Sequence, residues 1–323
     1  MKKKVGYIGG FWATNIGNSF YNIGALYLLK KIYGEKNVNF IPDPPQWHWN
    51  GINNDFKLLK NLDLDLYIIS GPCLNKGLIK VYKDVFDEFK RRNKKIALIS
   101  VGSSNYNEQE SILVSEFLNK YEIQYVTTRD DSTYDLYKNK LKAPTFNGLC
   151  TSMFLDEAVD VPKLNNDFVV FNFSSFIEPK ISLIKNEISV NMGLFPFYQK
   201  DFDGHEIIRT NNESFTRNFK FFNTQLMTFY KSNTYYSDLP YGYLSILKSA
   251  KVVFSDRVHS CAAALVLGNK AMYIKNAKRS KDGRNKLFNR IGVEDIYKKP
   301  SSLDFNYINT HKNLMIEFLK SNQ

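Results

Sequence analysis

The chain has 323 residues, of which 43% are hydrophobic and 24% charged, and its formal net charge is +12. This composition is typical of a folded globular protein and excludes the disordered and fibrous classes, while the length favours about two domains. Three scattered cysteines are too few for a disulfide framework or a zinc cluster, and they fit a reducing compartment.

No stretch reaches the roughly 18 apolar residues that a membrane-spanning helix requires. The basic start, MKKK, is not followed by a continuous apolar segment, so a signal peptide is not predicted. We therefore expect a cytoplasmic protein, with peripheral association at the inner face of the membrane as an open alternative.

Short apolar runs alternate with amphipathic stretches through the first half of the chain. The predicted strands are 5–10, 38–41, 66–70, 95–102 and 123–128. The predicted helices are 18–32, 77–92, 108–121 and 131–140, the last capped by Asp131 or Ser132. This alternation indicates a parallel sheet that is covered by helices on both faces.

The alternation lapses at 148–167, where Pro162 and a cluster of Asn and Asp residues predict a domain boundary. We expect one domain at 1–160 and a second at 161–323 that includes a terminal helix. The strands predicted beyond the boundary are 167–175, 192–198, 205–209, 232–238, 251–256 and 270–274. The helices predicted there are 214–231, 242–250, 257–268, 284–292 and 310–322. Two such α/β domains predict a ligand crevice between them, at the carboxyl ends of the strands.

The stretch 251–274 carries the most informative pattern. Its strand ends in Ser255-Asp256, and a helix of small residues opens at once, with Arg257 and His259 in the first turn. Such a helix start is an anion site, and Arg257 can hold a phosphate or carboxylate through two hydrogen bonds. The same end of a helix disfavours a charged imidazole, which makes His259 a candidate for proton transfer. The alternative is structural: Asp256 caps the helix and pairs with Arg257, and His259 is a structural hydrogen bonder.

The loop after the first predicted strand is rich in glycine and small polar residues, but it lacks the G-x-G-x-x-G spacing of a dinucleotide site. Asn15, Gly17 and Asn18 could present amide and N–H groups to a hydroxylated ligand, and the alternative is a tight turn between strand and helix. Ser103 lies in a similar polar turn at another strand end.

Two other strand ends favour structural interpretations. Arg129 and Asp130 are adjacent at a predicted helix start, and we expect them to form an ion pair. Cys73 follows the strand at 66–70, and we expect it to be a packing residue rather than a nucleophile.

The basic residues are concentrated in the second half, where the net charge is +9 against +3 in the first half. The segment 275–290 holds seven basic residues and one acid. It indicates a site for a phosphorylated ligand, a nucleic acid or a membrane surface, with a solvated lysine-rich surface as the alternative. Within it, Arg284 and Lys286 stand at the start of a predicted helix and could hold a phosphate.

Several chemistries have no motif to support them. The chain has no P-loop, G-x-S-x-G, H-E-x-x-H or kinase signature. Its histidines lack metal-ligand spacing, so no metal site is predicted, and the absence of an RNA-binding signature argues against a nucleic-acid partner.

Four blocks in the same order resemble motifs of the polysaccharide pyruvyl transferase family. The segment 255–268, SDRVHS with its alanine-rich helix ending in Leu-Gly, resembles the C-terminal motif of that family. The blocks N-x-G-N at 15–18, TTRDDSTYDL at 127–136 and RNKLFNRIGVED at 284–295 are similar to its other motifs. Asn18 stands where the family usually has aspartate, and 176–236 has no counterpart that we can match.

The resemblance implies an α/β fold of two Rossmann-like doubly wound domains that face a central cleft, as in GT-B enzymes. It implies phosphoenolpyruvate as the donor substrate, with no further cofactor. The acceptor would be a sugar diol of a surface glycan or of its precursor, which includes a lipid-linked oligosaccharide, and the product a pyruvate ketal. The N-terminal domain would then lie on the acceptor side and the C-terminal domain on the donor side.

The resemblance also assigns roles to the candidate residues. His259 and Arg257 would be catalytic. The donor would be bound by Arg257, Ser260, Arg284 and Lys286, and the acceptor by Asn15, Gly17, Asn18 and Ser103.

Two other functions stay open at this point. A GT-B glycosyltransferase of surface polysaccharide synthesis would use the same helix start to hold the diphosphate of a nucleotide sugar. A non-catalytic protein that binds glycans or nucleic acid would use the basic second half instead.

Overall fold

Two parallel sheets, one in each half of the chain, organise the protein. The computed structural model describes residues 3–10, 15–41, 57–174, 178–193, 199–212, 233–237, 239–275 and 283–323.

The first domain is a six-stranded parallel sheet with strand order β2-β1-β3-β4-β5-β6. Its strands are β1 (Val5–Ile8), β2 (Val38–Ile41), β3 (Leu66–Leu74), β4 (Lys95–Ser103), β5 (Ile123–Thr128) and β6 (Thr145–Asn147). Its helices are α1 (Gly17–Tyr33), α2 (Lys57–Asn61), α3 (Lys76–Arg91), α4 (Glu108–Leu118) and α5 (Asp131–Tyr137). The central strands β3 and β4 are buried almost throughout, as their continuous apolar runs predict.

A short linker follows, with a 3₁₀ turn at Thr151–Phe154 and helix α6 at Leu155–Ala158. The second sheet then has strand order β10-β11-β7-β13-β14, with β12 paired to β11. The strands of this half are β7 (Phe168–Asn172), β8 (Lys180–Ile184), β9 (Glu187–Asn191), β10 (Asp201–Phe202), β11 (His205–Thr210), β12 (Thr234–Tyr235), β13 (Val252–Ser255) and β14 (Lys270–Tyr273). The helices are α7 (Pro240–Ser249), α8 (Val258–Val266), α9 (Leu287–Arg290) and α10 (Phe305–Ser321).

The predicted parallel sheets are confirmed, with β10 as an antiparallel edge strand of the second sheet. The first half adds β6 and α2, which the sequence did not predict, and the other differences concern the second half. The segment 180–191 forms a two-stranded antiparallel hairpin, β8–β9, that the sequence analysis did not predict. Met192 and Gly193 lie outside any strand, and the rest of the predicted strand 192–198 falls outside the described residues. The predicted helix 214–231 also lies outside them.

The terminal helix α10 packs against the first domain, although we expected it to belong to the second. Phe318 stacks on Phe146 of β6, with ring centroids 4.9 Å apart, and meets Tyr125 of β5 edge to face. The amphipathic pattern of α10 correctly predicts a helix with one buried face, but such a pattern does not specify which sheet the face covers.

A buried lysine ties α10 to the linker. Lys312 is 2% exposed, and its ammonium donates to both carboxylate oxygens of Asp156, at 2.7 and 2.9 Å, and to Glu157 at 3.1 Å. Glu157 also accepts from Lys31 and from the hydroxyl of Tyr27, both on α1. This cluster therefore joins the terminal helix, the linker and α1 through charged hydrogen bonds.

We predict that Lys312→Met lowers the free energy of unfolding by about 2 kcal/mol, because it leaves the partly buried carboxylate of Asp156 without its cation, whereas Glu157 keeps Lys31. The measurement is urea-induced unfolding of the full chain. Lys298→Met is the matched control, since Lys298 is 82% exposed and should change stability by less than about 0.5 kcal/mol. Equal effects of the two substitutions would contradict the interpretation.

Candidate functional site

The start of α8 is fixed by hydrogen bonds that connect the ends of three strands. The hydroxyl of Ser255 at the end of β13 donates to Oδ1 of Asn172 at the end of β7, at 2.8 Å. The amide of Asn172 donates to Asn212, which follows β11, and Asn212 donates to the hydroxyl of Ser260 in α8. Arg257 is the N-cap residue, and its N–H donates to Ser255. The helix start is thus held rigidly at the carboxyl end of the second sheet.

The structural alternative for this segment fits only in part. One carboxylate oxygen of Asp256 accepts from the N–H of Ser174, and it lies 3.9 Å from Nε of Arg257. Arg257, and not Asp256, occupies the N-cap position. Asp256 therefore anchors the loop after β7 instead of capping α8, and Arg257 and His259 stay at the helix start, as predicted.

Ser260, predicted to bind the donor, is 1% exposed and accepts its hydrogen bond from Asn212. Its hydroxyl therefore holds the helix start against the end of β11. Donor contact by this residue remains a prediction.

The loop before α1 lies against the second domain. The N–H of Ile16 donates to the backbone oxygen of Asn212 at 2.7 Å, and a Cβ placed on Gly17 would lie 2.8 Å from the Asn212 amide. Asn15 accepts from the N–H of Gly17 at 2.9 Å, which shapes the turn, and the backbone oxygen of Asn18 accepts from Asn22. The start of α1 is therefore placed at Asn212 of the second domain, the residue that bonds to Ser260, and acceptor binding by Asn15, Gly17 and Asn18 remains a prediction.

Ser103 lies at the end of β4 and is 2% exposed. Its hydroxyl accepts from the N–H of Tyr106, and its own N–H donates to Thr133. These bonds shape the loop after β4, so the structure gives Ser103 a structural role, and its predicted contact with the acceptor remains a prediction.

Arg129, at the end of β5, is a residue whose importance the sequence analysis missed. Its side chain is 2% exposed, and its Nε lies 3.9 Å from the Asp130 carboxylate, which confirms the predicted ion pair but is beyond hydrogen-bond distance. The Asp130 oxygens accept instead from Thr133 and from the hydroxyl of Tyr106, so Asp130, and not Asp131 or Ser132, caps α5. Within the part of the chain that the structure describes, neither Nε nor Nη2 of Arg129 has a hydrogen-bond partner.

A buried guanidinium in this state favours an anionic ligand, because desolvated charges in proteins are normally paired and hydrogen-bonded. The backbone makes room for it: a Cβ on Gly102 would collide with the guanidinium.

The charge of Arg129 also affects the nearby thiol of Cys73. Burial raises the pKa of the Cys73 thiol to about 12, and Arg129 partly opposes that shift. Cys73 thus stays a protonated packing residue, in accord with the expectation from the sequence.

Tyr21 of α1 connects the two domains at this place. Its ring lies against the imidazole of His259, with centroids 5.1 Å apart and planes inclined by 51°. Its hydroxyl lies beside Gly71 in β3 and within the electrostatic influence of Arg129. Tyr21 is therefore near Arg129, a candidate anion-binding residue of the first domain, and in contact with the start of α8 in the second domain.

Lys286 lies at a second junction between the domains. Its ammonium donates to the hydroxyl of Ser132 at 3.0 Å and lies 4.2 Å from the centroid of the Tyr106 ring, a cation–π contact. The hydroxyl of Tyr106 also lies 2.9 Å from the backbone oxygen of Gly283. The turn that carries Lys286 is therefore attached to the segments on either side of Asp130 in the first domain. Binding of a donor by Lys286 remains a prediction. The side chain of Arg284 and the segment 276–282 lie outside the described residues.

The described residues contain neither a cluster of metal ligands nor a membrane-spanning helix. They contain no group of three or more His, Cys, Asp or Glu side chains that could hold a metal ion. They also contain no helix that is both long and apolar enough to cross a membrane.

We predict that Arg129→Met leaves the midpoint of thermal unfolding unchanged or higher, because it replaces a buried cation that lacks hydrogen bonds at Nε and Nη2. It should also reduce, without abolishing, the stabilisation that millimolar inorganic phosphate gives the wild type, because Arg257 remains at the start of α8. Arg209→Met is the matched control: Arg209 is equally buried but makes two hydrogen bonds to Glu178, so its loss should cost about 3 kcal/mol. A large destabilisation by Arg129→Met would show that Arg129 is structural.

Comparison with known proteins supports this description of the fold and shows the family. The sequence model of the polysaccharide pyruvyl transferase family matches residues 15–277. No curated protein matches the chain.

Solved structures of similar architecture include one named as a putative UDP-N-acetylglucosamine 2-epimerase and one of a protein named MnaA. The first, from Listeria monocytogenes, is 9% identical with a TM-score of 0.53, over 99% of this chain and 97% of that one. MnaA from S. aureus, in a co-structure with UDP, is 12% identical with a TM-score of 0.51, over 99% and 90% of the two chains. At such identities the likeness shows the fold alone, which is GT-B-like with Rossmann-like domains. The family match covers most of the sequence, including the Arg257–His259 helix start, and the chain belongs to the polysaccharide pyruvyl transferase family.

Proposed function

We propose that this protein transfers the pyruvyl group of phosphoenolpyruvate to two hydroxyls of one sugar, as a ketal, in a surface glycan or its precursor. The observation that carries the proposal is the pair of arginines contributed by the two domains. Arg129 is buried at the end of β5, and Arg257 is at the N-terminus of α8.

The donor has two anionic ends, a phosphate and a carboxylate. Arg257 and the N–H groups in the first turn of α8 suit a phosphate, because hydrogen-bond donors and the helix dipole act together there. Arg129 suits the second anion, since its guanidinium is desolvated and its nearest carboxylate already accepts three other hydrogen bonds. One donor molecule held by both residues would draw the two domains together around it.

The reaction requires two proton movements besides the loss of phosphate. A proton is added to the donor methylene, which becomes a methyl group, and the adjacent carbon forms bonds to two sugar oxygens. The two hydroxyls release two protons: one balances the proton that the methylene gains, and the other leaves with the phosphate. We assign the proton transfer at the methylene and at one hydroxyl to His259, and charge stabilisation of the departing phosphate to Arg257.

The acceptor would approach from the first domain. Asn15 lies just before α1 and Gly17 and Asn18 in its first turn, and the residue between them, Ile16, bonds to the backbone of Asn212 in the second domain. Amide groups and backbone N–H groups of this kind suit neutral sugar hydroxyls, which need donors and acceptors but no charge. The replacement of the family's usual aspartate by Asn18 fits a role in binding rather than in proton removal.

We predict that phosphoenolpyruvate raises the unfolding midpoint of the wild type and of His259→Gln more than inorganic phosphate does, and that UDP-N-acetylglucosamine has no effect. A ligand at 100 times its dissociation constant stabilises by about 2.7 kcal/mol, which is easily measured by thermal shift. Phosphate release with a panel of free hexosides as acceptors should fall at least about 100-fold in His259→Gln, the usual scale of acid–base catalysis.

His311→Gln is the matched control. His311 also contacts a tyrosine, Tyr307, but lies on the surface of α10 away from the site, so both binding and turnover should persist. Stabilisation by UDP-N-acetylglucosamine without any effect of phosphoenolpyruvate would favour glycosyl transfer and refute the proposal. Undiminished turnover in a folded His259→Gln protein would refute the role of the imidazole.

A further inference from the structure

Tyr21 is the side chain on which the candidate groups of both domains converge. It belongs to α1, is 4% exposed, and its backbone oxygen accepts from the hydroxyl of Thr151 in the linker. Its ring contacts His259, and its hydroxyl contacts the backbone at Gly71, where a Cβ would lie only 3.1 Å from the oxygen. The side chain is therefore confined at α8 and at β3, and its backbone is fixed by the linker.

The chemistry of the tyrosine argues against a role as a base. Burial raises the pKa of its hydroxyl well above the usual value, and the positive charge of Arg129 opposes this shift without cancelling it. The hydroxyl therefore stays protonated at neutral pH. A neutral, immobile ring can still orient what packs against it, since aromatic contacts have defined geometry and few rotamers.

His259 depends on both domains for its position. The backbone of α8 is anchored within the second domain through Ser255, Asn172, Asn212 and Ser260. The ring of Tyr21 supplies a contact to the imidazole from the first domain, the domain that carries Arg129. A catalytic group must be held to within a fraction of an ångström. The contact with Tyr21 sets the position of the imidazole relative to Arg129 in the first domain.

We propose that Tyr21 is a positioning residue: its ring fixes the imidazole of His259 relative to Arg129, and this geometry forms when the two domains pack together. The kinetic consequence rests on the proposed function, whereas the packing of the two rings does not. The aromatic ring is the required feature, so phenylalanine should replace tyrosine and an aliphatic residue should not.

The first test is spectroscopic and needs no substrate. The chain has four histidines, so the imidazole resonances of the ¹³C-labelled protein are easily assigned, that of His259 by its loss in His259→Gln. Tyr21→Leu should move the His259 resonance, because the ring current of Tyr21 is removed, and Tyr21→Phe should leave it near its wild-type position. A resonance that stays in place in Tyr21→Leu, or moves equally in both variants, would overturn the proposal.

The second test is kinetic. Tyr21→Leu should lower kcat about 10- to 100-fold, the loss expected from a misplaced catalytic group, and leave KM for phosphoenolpyruvate within about threefold. Tyr21→Phe should recover most of the loss. Tyr27→Leu is the control on the same helix, since Tyr27 bonds to Glu157 on the other side of α1, and it should keep the wild-type kcat.

The outcomes separate the two proposals. A loss confined to KM, or a Tyr21→Leu enzyme as active as Tyr27→Leu, would overturn the positioning role. If the wild type itself shows no turnover, the proposed function is contradicted, and the spectroscopic comparison still decides whether Tyr21 holds His259. Should Tyr21→Leu fail to fold, Tyr21→Met serves instead, because its longer side chain fills the same space without a ring.

Discussion

A guanidinium that is 2% exposed, with two of its nitrogens unbonded within the described chain, sets the main constraint on this structure. Removing a charge from water without hydrogen bonds is unfavourable by several kcal/mol, so the fold must offset that loss elsewhere. The surroundings of Arg129 accommodate this charge, with Gly102 leaving room for the guanidinium and Asp130 kept at 3.9 Å by its hydrogen bonds to α5. In the proposed function, an anion bound by Arg129 would supply the missing hydrogen bonds.

Contacts between the two domains link the position of Arg129 to residues of the second domain. Tyr21 lies between Arg129 and His259, the loop before α1 bonds to Asn212, and Lys286 rests on Tyr106. Away from the site, Lys312 of α10 bonds to Asp156 and Glu157 of the linker, and Glu157 also bonds to Lys31 of α1. The two Rossmann-like domains are thus joined at several places. Each junction near the site involves a side chain that is one or two contacts away from a candidate arginine or from His259.

The sequence predicts well what depends on local pattern. Buried apolar runs identify the strands of both sheets, and small residues after Ser255-Asp256 identify α8 with Arg257 and His259 at its start. The antiparallel hairpin β8–β9 was missed because its residues are largely exposed and mix charged with apolar side chains, which leaves little periodic signal. The docking of α10 on the first sheet was missed because helix amphipathicity carries no information about the partner.

The roles of Arg129 and Tyr21 lay beyond sequence reasoning for a different physical reason. An adjacent Arg-Asp pair correctly predicts an ion pair, but the primary structure does not show that Asp130 accepts its hydrogen bonds from Thr133 and Tyr106 and not from Arg129. The contact between Tyr21 and His259 joins opposite halves of the chain, and it exists only once both sheets have formed and packed. Sites assembled across two domains depend on such long-range contacts, and local motifs identify only one side of them.

The central claim is that one donor molecule is held by an arginine from each domain. A crystal structure of the protein with phosphoenolpyruvate bound tests this most directly. The account predicts a single molecule between the domains, hydrogen-bonded to Arg129 at one anionic end and to Arg257 at the other. Phosphoenolpyruvate that contacts only one of the two arginines, or that binds away from both, would contradict it.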